Sequence, residues 1–265
     1  MAGGLGLSDL DPALLERLVA RLRAAEPGAI GVMARGSYAR GLATPQSDLD
    51  LTALTTLAPR VGYRTWFEAR AGGRPLHVSA GAETLDEWRQ DAGEPARWSL
   101  GFPTEETGLW IWATAAARAA VGDPPVVRRP AAGPELEDLC EAATKVQRAF
   151  AAGDGLGGRW HAGDLAELAP RLLIPLNPER RVRDRREALA AALELTVAPP
   201  GYQAAMLTAL GLAPADDAAV AAAALGLARA LLAFLRARAP TVDRQPDLAR
   251  YLADGTLEGQ LRAEG

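Results

Sequence analysis

The sequence is poor in the residues that build disulfide frameworks and zinc sites. Its 265 residues include one cysteine, Cys140, and two histidines, His77 and His161. A single cysteine excludes an intramolecular disulfide, and these three residues do not make a usual tetrahedral zinc site. Of the 29 lysine and arginine residues all but Lys145 are arginine, and the formal net charge is −4. The sequence therefore lacks the overall positive charge typical of nucleic-acid-binding proteins.

Long apolar runs without charge are also missing. The opening segment MAGGLGLSDLDP has no basic region followed by an apolar stretch, so it does not predict a secretory signal. Within the most apolar segment, 216–238, the charge-free run covers only 218–228, which is short for a bilayer span. Hydrophobic residues make up 49% and charged residues 23% of the chain, as in globular domains. We expect a soluble cytoplasmic protein with no membrane partner.

Hydrophobic periodicity predicts alternating helices and strands in the first half of the chain. A helix is predicted from Pro12, with Asp11 as its N-cap and leucines at helical spacing. Short apolar segments predict strands at 29–35 and 48–57, a hairpin at 62–70 and 74–80, and a helix at 83–90. Residues 96–130 give no clear pattern.

The pattern changes near residue 134, where strand-like alternation ends and five helical segments follow. No internal repeat is present. The sequence therefore predicts an α+β protein with two domains. Residues 1–128 would form a mixed sheet flanked by helices, and residues 129–265 would form an all-helical domain.

The stretch GVMARGSYARGLATPQSDLDL, residues 31–51, combines features that suit phosphate and metal binding. A strand leads into Gly36 and Ser37, and the missing side chain of Gly36 leaves the backbone open to a phosphate. Eleven residues after Ser37, Asp48 and Asp50 occupy alternate strand positions, so both carboxylates point to one face. Paired carboxylates repel each other unless a cation lies between them, and hard oxygen ligands suit Mg²⁺. The alternative interpretation is a turn followed by two surface aspartates.

This stretch resembles the signature of the polymerase-β-like nucleotidyltransferases, in which an apolar strand, Gly-Ser and Asp-apolar-Asp follow in that order. The similarity extends to the kanamycin (aminoglycoside) nucleotidyltransferases, whose helical domain carries Glu-x-x-x-Lys, here Glu141 and Lys145. Residues 198–212 also resemble a Pro-x-Gly-Tyr helix start of that group. Without the resemblance, Glu141 and Lys145 would be interpreted as a solvated salt bridge on one helix face.

The resemblance implies transfer of AMP from Mg·ATP to a hydroxyl group of a small, aminoglycoside-like acceptor, with release of pyrophosphate. It also implies a homodimer and a set of site residues. The nucleotide would contact Gly36, Ser37, Arg40 and Lys145, Mg²⁺ would bind Asp48 and Asp50, and Glu141 would be the general base.

One position departs from the family pattern, which usually places a third carboxylate on a later strand. In this sequence the matching residue is His77, and imidazole is a poor ligand for Mg²⁺. Three interpretations stay open: a hydrogen-bonded strand histidine, a contact to metal or nucleotide, or a third acid supplied by Glu68 or Glu83.

The sequence identifies the acceptor substrate less clearly than the nucleotide and metal sites. Acidic residues near the predicted domain junction would suit a polycationic acceptor: Glu105, Glu106, Glu135, Glu137 and Asp138. Another hydroxylated metabolite fits equally well, and Trp98, Trp110 and Trp112 would either line a pocket or pack in the core. Two alternative functions are an enzyme that nucleotidylates protein or RNA, using the arginine-rich segment 180–186, and a nucleotide-binding homologue with weakened catalysis.

Overall fold

The chain folds into two compact units. The computed structural model describes residues 4–60, 62–69, 74–133 and 136–238. The first unit contains the chain up to Glu94 together with Glu105–Arg129, and the second contains Pro95–Thr104 and the chain from Pro130 onward. The predicted cut between residues 128 and 129 counted residues 95–104 in the N-terminal domain, whereas they pack with the helical unit. A single boundary therefore does not describe the division.

The first unit is built around a five-stranded mixed sheet. The strands of the chain are β1 (Ala29–Arg35), β2 (Leu49–Thr55), β3 (Arg64–Glu68), β4 (Leu76–Thr84), β5 (Thr104–Thr107), β6 (Leu109–Ala113) and β7 (Val126–Arg129). The main sheet has the order β3-β4-β2-β1-β6, while β5 pairs with β7. Strands β2 and β4 run parallel, and the other neighbours in the main sheet are antiparallel. The predicted α+β class and the predicted hairpin, which is β3 and β4, are confirmed.

Local sequence signals explain where the helices of this unit begin. The unit contains α1 (Pro12–Ala25), α2 (Gly36–Ala39), α3 (Leu85–Gly93) and α4 (Ala115–Val121). The Asp11 carboxylate accepts a hydrogen bond from the Ala13 amide at 2.9 Å, as its predicted capping role requires. Thr84 and Glu87 form a reciprocal capping box with contacts of 3.0 and 2.6 Å, which starts α3 at Leu85.

The two faces of the main sheet have different surroundings. One face packs against the buried leucines of α1, Leu14, Leu18 and Leu22. The opposite face covers a small core of Met33, Leu54, Trp88 and Val127, against which Trp110 packs.

The three tryptophans that the sequence left open pack against apolar cores. The Trp110 indole donates to the Gly122 carbonyl at 2.9 Å, Trp112 packs on the α1 side, and Trp98 packs against the helical core. These contacts favour the core interpretation of the three tryptophans.

The regular structure described from residue 136 onward is helical, as predicted. It comprises α5 (Leu136–Ala151), α6 (Gly155–Leu173), α7 (Arg185–Leu193), α8 (Tyr202–Ala209) and α9 (Asp217–Arg236). Leu139, Leu165, Leu172 and Leu231 are fully buried in one shared core. Phe102 from the segment 95–104 is also fully buried there, which explains why this segment belongs to the second unit.

Helix α9 is longer and more apolar than its short charge-free run suggested, so the expectation that this segment is too short for a membrane span is wrong. Its 20 residues have a mean hydropathy of 2.1 in the most apolar window, so length and composition alone would allow a membrane span. Val220, Leu227, Leu231 and Leu235 instead pack in the helical core. Apolar core helices of soluble proteins share this composition, and α9 packs as one of them.

Candidate functional site

Polar side chains gather at one end of the main sheet, on the face opposite α1. Asp50 of β2 lies beside Arg35 of β1 and Ser79 of β4 in the strand register. Asp48 directly precedes β2, and the charge of Asp48 acts on Asp50. Asp48 and Asp50 therefore lie close together at the start of β2, next to the turn that follows β1.

Gly36 is required at this turn by the shape of the backbone and by its neighbour. Its φ of +65° belongs to the left-handed region that favours glycine. A Cβ built on Gly36 would overlap the Asp50 carboxylate. Tyr38 then anchors the short helix α2, because its ring is fully buried in the core beside α1. The turn and the carboxylate are thus fitted to each other.

Burial and neighbouring charge make ionised Asp50 costly. Burial is the largest cause that raises the pKa of Asp50, and the charges of Asp48 and Glu106 raise it further. Arg35 and Arg40 act in the opposite direction, so Arg40 lies within the same charged neighbourhood. A bound cation would offset the remaining repulsion between the two aspartates.

His77 lies beside the aspartate pair. Its Nδ1 is 3.9 Å from an Asp48 carboxylate oxygen, and its ring faces that of Phe67 with centroids 5.1 Å apart. Phe67 is 71% exposed, so the ring pair lies at the surface of the unit. This geometry brings His77 close to the predicted metal ligands, and its role there stays a prediction.

A mostly buried ion-pair network lies beside the aspartate pair, and the sequence did not reveal it. The Arg35 guanidinium donates to both carboxylate oxygens of Glu106 at 3.0 and 2.7 Å and lies 3.6 Å from Glu83. Arg129 reaches the same Glu106 carboxylate at 3.5 Å and the backbone carbonyl of Asp91 at 3.1 Å. Burial is the largest single influence on Glu106 and opposes ionisation, but the hydrogen bond and charge of Arg35, together with the charges of Arg129 and Arg40, lower the pKa of Glu106 overall.

Neither glutamate proposed as a third metal ligand is placed for that role. Glu68 accepts from the Trp66 indole at 2.6 Å and pairs with Arg21 of α1 at 3.3 Å, so it lies on the α1 side of the sheet. Glu83 lies on the aspartate face but pairs with Arg35. Among the residues that the structure describes, no group of three or more His, Cys, Asp and Glu is arranged to hold a metal ion. The site supplies two carboxylates.

Ser79 is a candidate that the sequence analysis missed. It is only 2% exposed and is the register neighbour of Asp50 on β4. Its hydroxyl group has no hydrogen-bond partner among the described residues. Buried hydroxyl groups are usually satisfied, so a ligand or water at this end of the sheet would be its partner. Only the strand register, which requires the fold, brings Ser79 and Asp50 together.

The ion pair between Arg35 and Glu106 is expected to matter for stability. Glu106→Gln removes a charge from a mostly buried pair and should lower the free energy of unfolding by about 2 kcal/mol. The control is Glu105→Gln, because Glu105 pairs with Arg128 at 3.2 Å on the exposed side and should contribute under about 1 kcal/mol. Urea unfolding measures both, and equal losses in the two variants would contradict the assignment.

The pH dependence of this pair has a definite sign. The pKa of Glu106 is lowered in the folded protein, so its contribution to stability is present above the ordinary glutamate value. The contribution is lost as the pH falls through the lowered value. The stability difference between wild type and Glu106→Gln should therefore shrink in acid.

In the helical unit, Glu141 and Lys145 form the i,i+4 pair that the sequence predicts. The Lys145 ammonium donates to the Glu141 carboxylate at 2.8 Å, and the side chains are 48% and 61% exposed. This hydrogen bond is the main cause that lowers the pKa of Glu141 and raises that of Lys145. The pair is solvated, and the resemblance alone gives it a catalytic role. The neighbouring Cys140 is buried, which raises the pKa of its thiol to about 11 and keeps it protonated.

Two other sequence candidates have local partners. The arginine-rich segment 180–186 surrounds the start of α7, which Asp184 caps. Ion pairs link Arg180 to Glu194, Arg183 to Glu187 and Arg185 to Glu167. Among the acidic residues suggested for the acceptor, Glu106 is occupied by Arg35, while Glu137 and Asp138 are exposed in the first turn of α5. Glu135 lies outside the described residues.

Comparison with known proteins matches both halves of the chain to nucleotidyltransferases. The family described as "Nucleotidyltransferase domain" matches residues 15–72, and "Nucleotidyltransferase, substrate binding domain" matches residues 135–236. A solved structure of a nucleotidyltransferase-like protein from Exiguobacterium sibiricum is 15% identical. The alignment covers 86% of this chain and 77% of that one, with a TM-score of 0.42. No curated protein matches the chain.

The first family match spans the turn at Gly36, Asp48 and Asp50, and the second spans nearly all of the described helices after residue 135. The sequence motif, the geometry around Asp50 and these two matches agree. The chain belongs to the nucleotidyltransferase superfamily and is a nucleotidyltransferase with a substrate-binding domain.

Proposed function

We propose that the protein transfers AMP from ATP to a hydroxyl group of a small, aminoglycoside-like acceptor and releases pyrophosphate. The observation that supports this proposal most strongly is the fit between the Gly36 turn and the Asp50 carboxylate, with Asp48 alongside. The match of residues 135–236 to a nucleotidyltransferase substrate-binding domain supports a separate acceptor substrate.

The residues at this end of the sheet fit a divalent metal. Both donors are carboxylates, the ligand type that Mg²⁺ prefers, and the mutual repulsion acting on Asp50 is what a cation would offset. With two acids, Asp48 and Asp50, the remaining ligands would be phosphate oxygens and water. When bound, the metal supplies charge neutralisation on the phosphates.

The remaining roles follow the resemblance and suit the local chemistry. Ser37 and Arg40 would hold the outer phosphates from the turn after β1, since a guanidinium matches paired phosphate oxygens. Lys145 would also contact the triphosphate. Glu141 would take the proton from the acceptor hydroxyl, since its carboxylate is ionised at neutral pH; the hydrogen bond from Lys145 lowers the pKa of Glu141, so releasing that bond would make Glu141 a stronger base. The attack on the α-phosphorus then displaces pyrophosphate.

The acceptor assignment is tested by pyrophosphate release. The four nucleoside triphosphates are combined with a panel of aminoglycosides and uncharged polyols, with Mg²⁺ present. We expect release above background with ATP and an aminoglycoside, and mass spectrometry should show an AMP adduct. Release with polyols alone would contradict the aminoglycoside class while leaving the reaction type in place. Sedimentation would test the homodimer that belongs to the same proposal.

A catalytically weakened nucleotide-binding homologue is the second candidate. The observation in its favour is that His77 lies where a third carboxylate is expected and no described acid replaces it. Calorimetry distinguishes the two candidates, because Mg·ATP binding without pyrophosphate release on any acceptor would favour the homologue. The ion pairs of Arg180, Arg183 and Arg185 give no support to an RNA-modifying enzyme.

A further inference from the structure

We infer that an apolar pocket within the helical unit binds a small amphipathic anion, meaning an apolar body with one carboxylate-like group. The pocket has a volume of about 330 Å³. Its lining comes from helices α6, α7 and α8, from Leu210 and Leu212 just beyond α8, and from Leu100 in the segment 95–104. None of these residues has a role in the proposed nucleotidyl transfer.

The apolar part of the lining runs from the core to the surface. Met206 of α8 is fully buried and Leu100 is 9% exposed, whereas Leu212 is 57% exposed. Most of the lining surface is apolar. An exposed leucine at the mouth of such a pocket leaves apolar surface in contact with water, which an apolar ligand would cover. A polycation would gain little from this surface.

The charged residues of the lining are two arginines and one glutamate, so the lining has a net charge of +1. Arg185, Arg186 and Glu167 all line the pocket. Arg185 is 3.9 Å from Glu167, while Arg186 has no ion-pair partner among the described residues. A guanidinium beside an apolar cavity complements a ligand with a single anionic group, which it can bind through two parallel hydrogen bonds.

Leu100 adds an independent observation. It has a φ of +53°, and it is the only residue other than glycine with a positive φ in the described part of the chain. Branched side chains rarely adopt this left-handed conformation, and such residues are concentrated at functional sites and ligand clamps. The residue with this backbone conformation is one of those that line the pocket.

The test uses octanoate, with octylammonium as a ligand of the same length and opposite charge. Isothermal calorimetry on the full chain, below the micelle concentration of each ligand and without ATP, should show saturable octanoate binding and weaker octylammonium binding. Arg186→Gln should raise the octanoate Kd by about tenfold, because a charge-assisted hydrogen bond is lost. Because no nucleotide is present, the result is independent of the proposed enzymatic activity.

Arg181→Gln is the matched control, since Arg181 is exposed in the same arginine-rich segment but does not line the pocket. It should leave the octanoate Kd unchanged. Leu212→Ser should also weaken octanoate, because it removes apolar surface at the mouth without disturbing a buried side chain. The inference is overturned if octylammonium binds as tightly as octanoate, if Arg186→Gln has no effect, or if no saturable binding occurs.

The same chemistry could belong to an acceptor or to a separate effector, and 8-hydroxyoctanoate distinguishes these sources. Adenylation of its hydroxyl group in the presence of Mg·ATP would identify the pocket as part of the acceptor site. Binding without adenylation would identify a ligand that is not modified.

Discussion

Replacing Asp48 and Asp50 together by asparagine is expected to lower kcat by about 10³-fold or more. Asparagine keeps the size of each side chain but removes the two negative charges that would hold a divalent metal. Pyrophosphate release under saturating Mg·ATP measures the loss. A double variant with activity close to wild type would contradict the assignment of the whole site.

The same variant should keep its fold, which separates a catalytic from a structural effect. The pKa of Asp50 is raised by burial and then by Asp48, so its ionised form costs free energy in the folded state at neutral pH. This cost declines as the pH falls through the raised value. The double variant should therefore melt no lower than wild type at neutral pH. Mg²⁺ should raise the melting temperature of wild type only.

Asp86→Asn provides the control for charge removal. The Asp86 side chain is 92% exposed and pairs with Arg89 on the surface of α3, at 3.3 Å. This variant should match wild type in kcat and in its thermal response to Mg²⁺. A loss of activity in Asp86→Asn comparable to the double variant would show that net charge, rather than the aspartate pair, is responsible.

Glu141→Gln is expected to lower kcat by about 10²–10⁴, the usual range for loss of a general base. The KM for ATP should change little, because glutamine removes the proton acceptor and leaves the shape of the side chain. The melting temperature should also stay unchanged, since the ion pair with Lys145 is solvated. Single-turnover measurements with the acceptor identified by the screen would separate the chemical step from binding.

Glu137→Gln is the matched control on the same helix. Glu137 is exposed in the first turn of α5 and is one of the acidic residues suggested for the acceptor, but the resemblance gives it no part in proton transfer. If both variants reduce kcat equally, the acidic surface of α5 acts on the acceptor as a whole. A wild-type kcat in Glu141→Gln would remove Glu141 from the mechanism and leave the ion pair with Lys145 as an ordinary surface contact.

The features that were predicted well have local signals. Asp11 and Pro12 mark the start of α1, and an apolar run ending at Gly36 marks β1, because capping and strand formation depend on neighbouring residues. The closeness of Asp48 and Asp50 also has a local cause, because they are two residues apart in the chain, while their metal-binding role stays a prediction. These are contacts of short sequence separation.

The features that were missed depend on distant contacts. Arg35 and Glu106 are 71 residues apart, and no local pattern links them. Glu68 was proposed for the aspartate face, but its strand position and its contact with Arg21 place it on the other side of the sheet. The weakly patterned region 96–130 contains short strands that form by pairing with segments elsewhere, such as β6 with β1. Propensity is a poor guide to such strands.

The packing of Pro95–Thr104 with the helices has a consequence for dissecting this enzyme into fragments. The Ala132 amide donates to the Gly101 carbonyl at 3.0 Å and the Val182 amide donates to the Pro103 carbonyl at 3.2 Å. Backbone hydrogen bonds therefore join the segment 95–104 to the rest of the helical unit. A truncated helical half expressed from residue 130 would lose Phe102 from its interior and leave a void. Because the second unit is made of two separate segments of the chain, one cut cannot separate the two units. A fragment that contains only the helical unit would therefore need residues 95–104 joined to it.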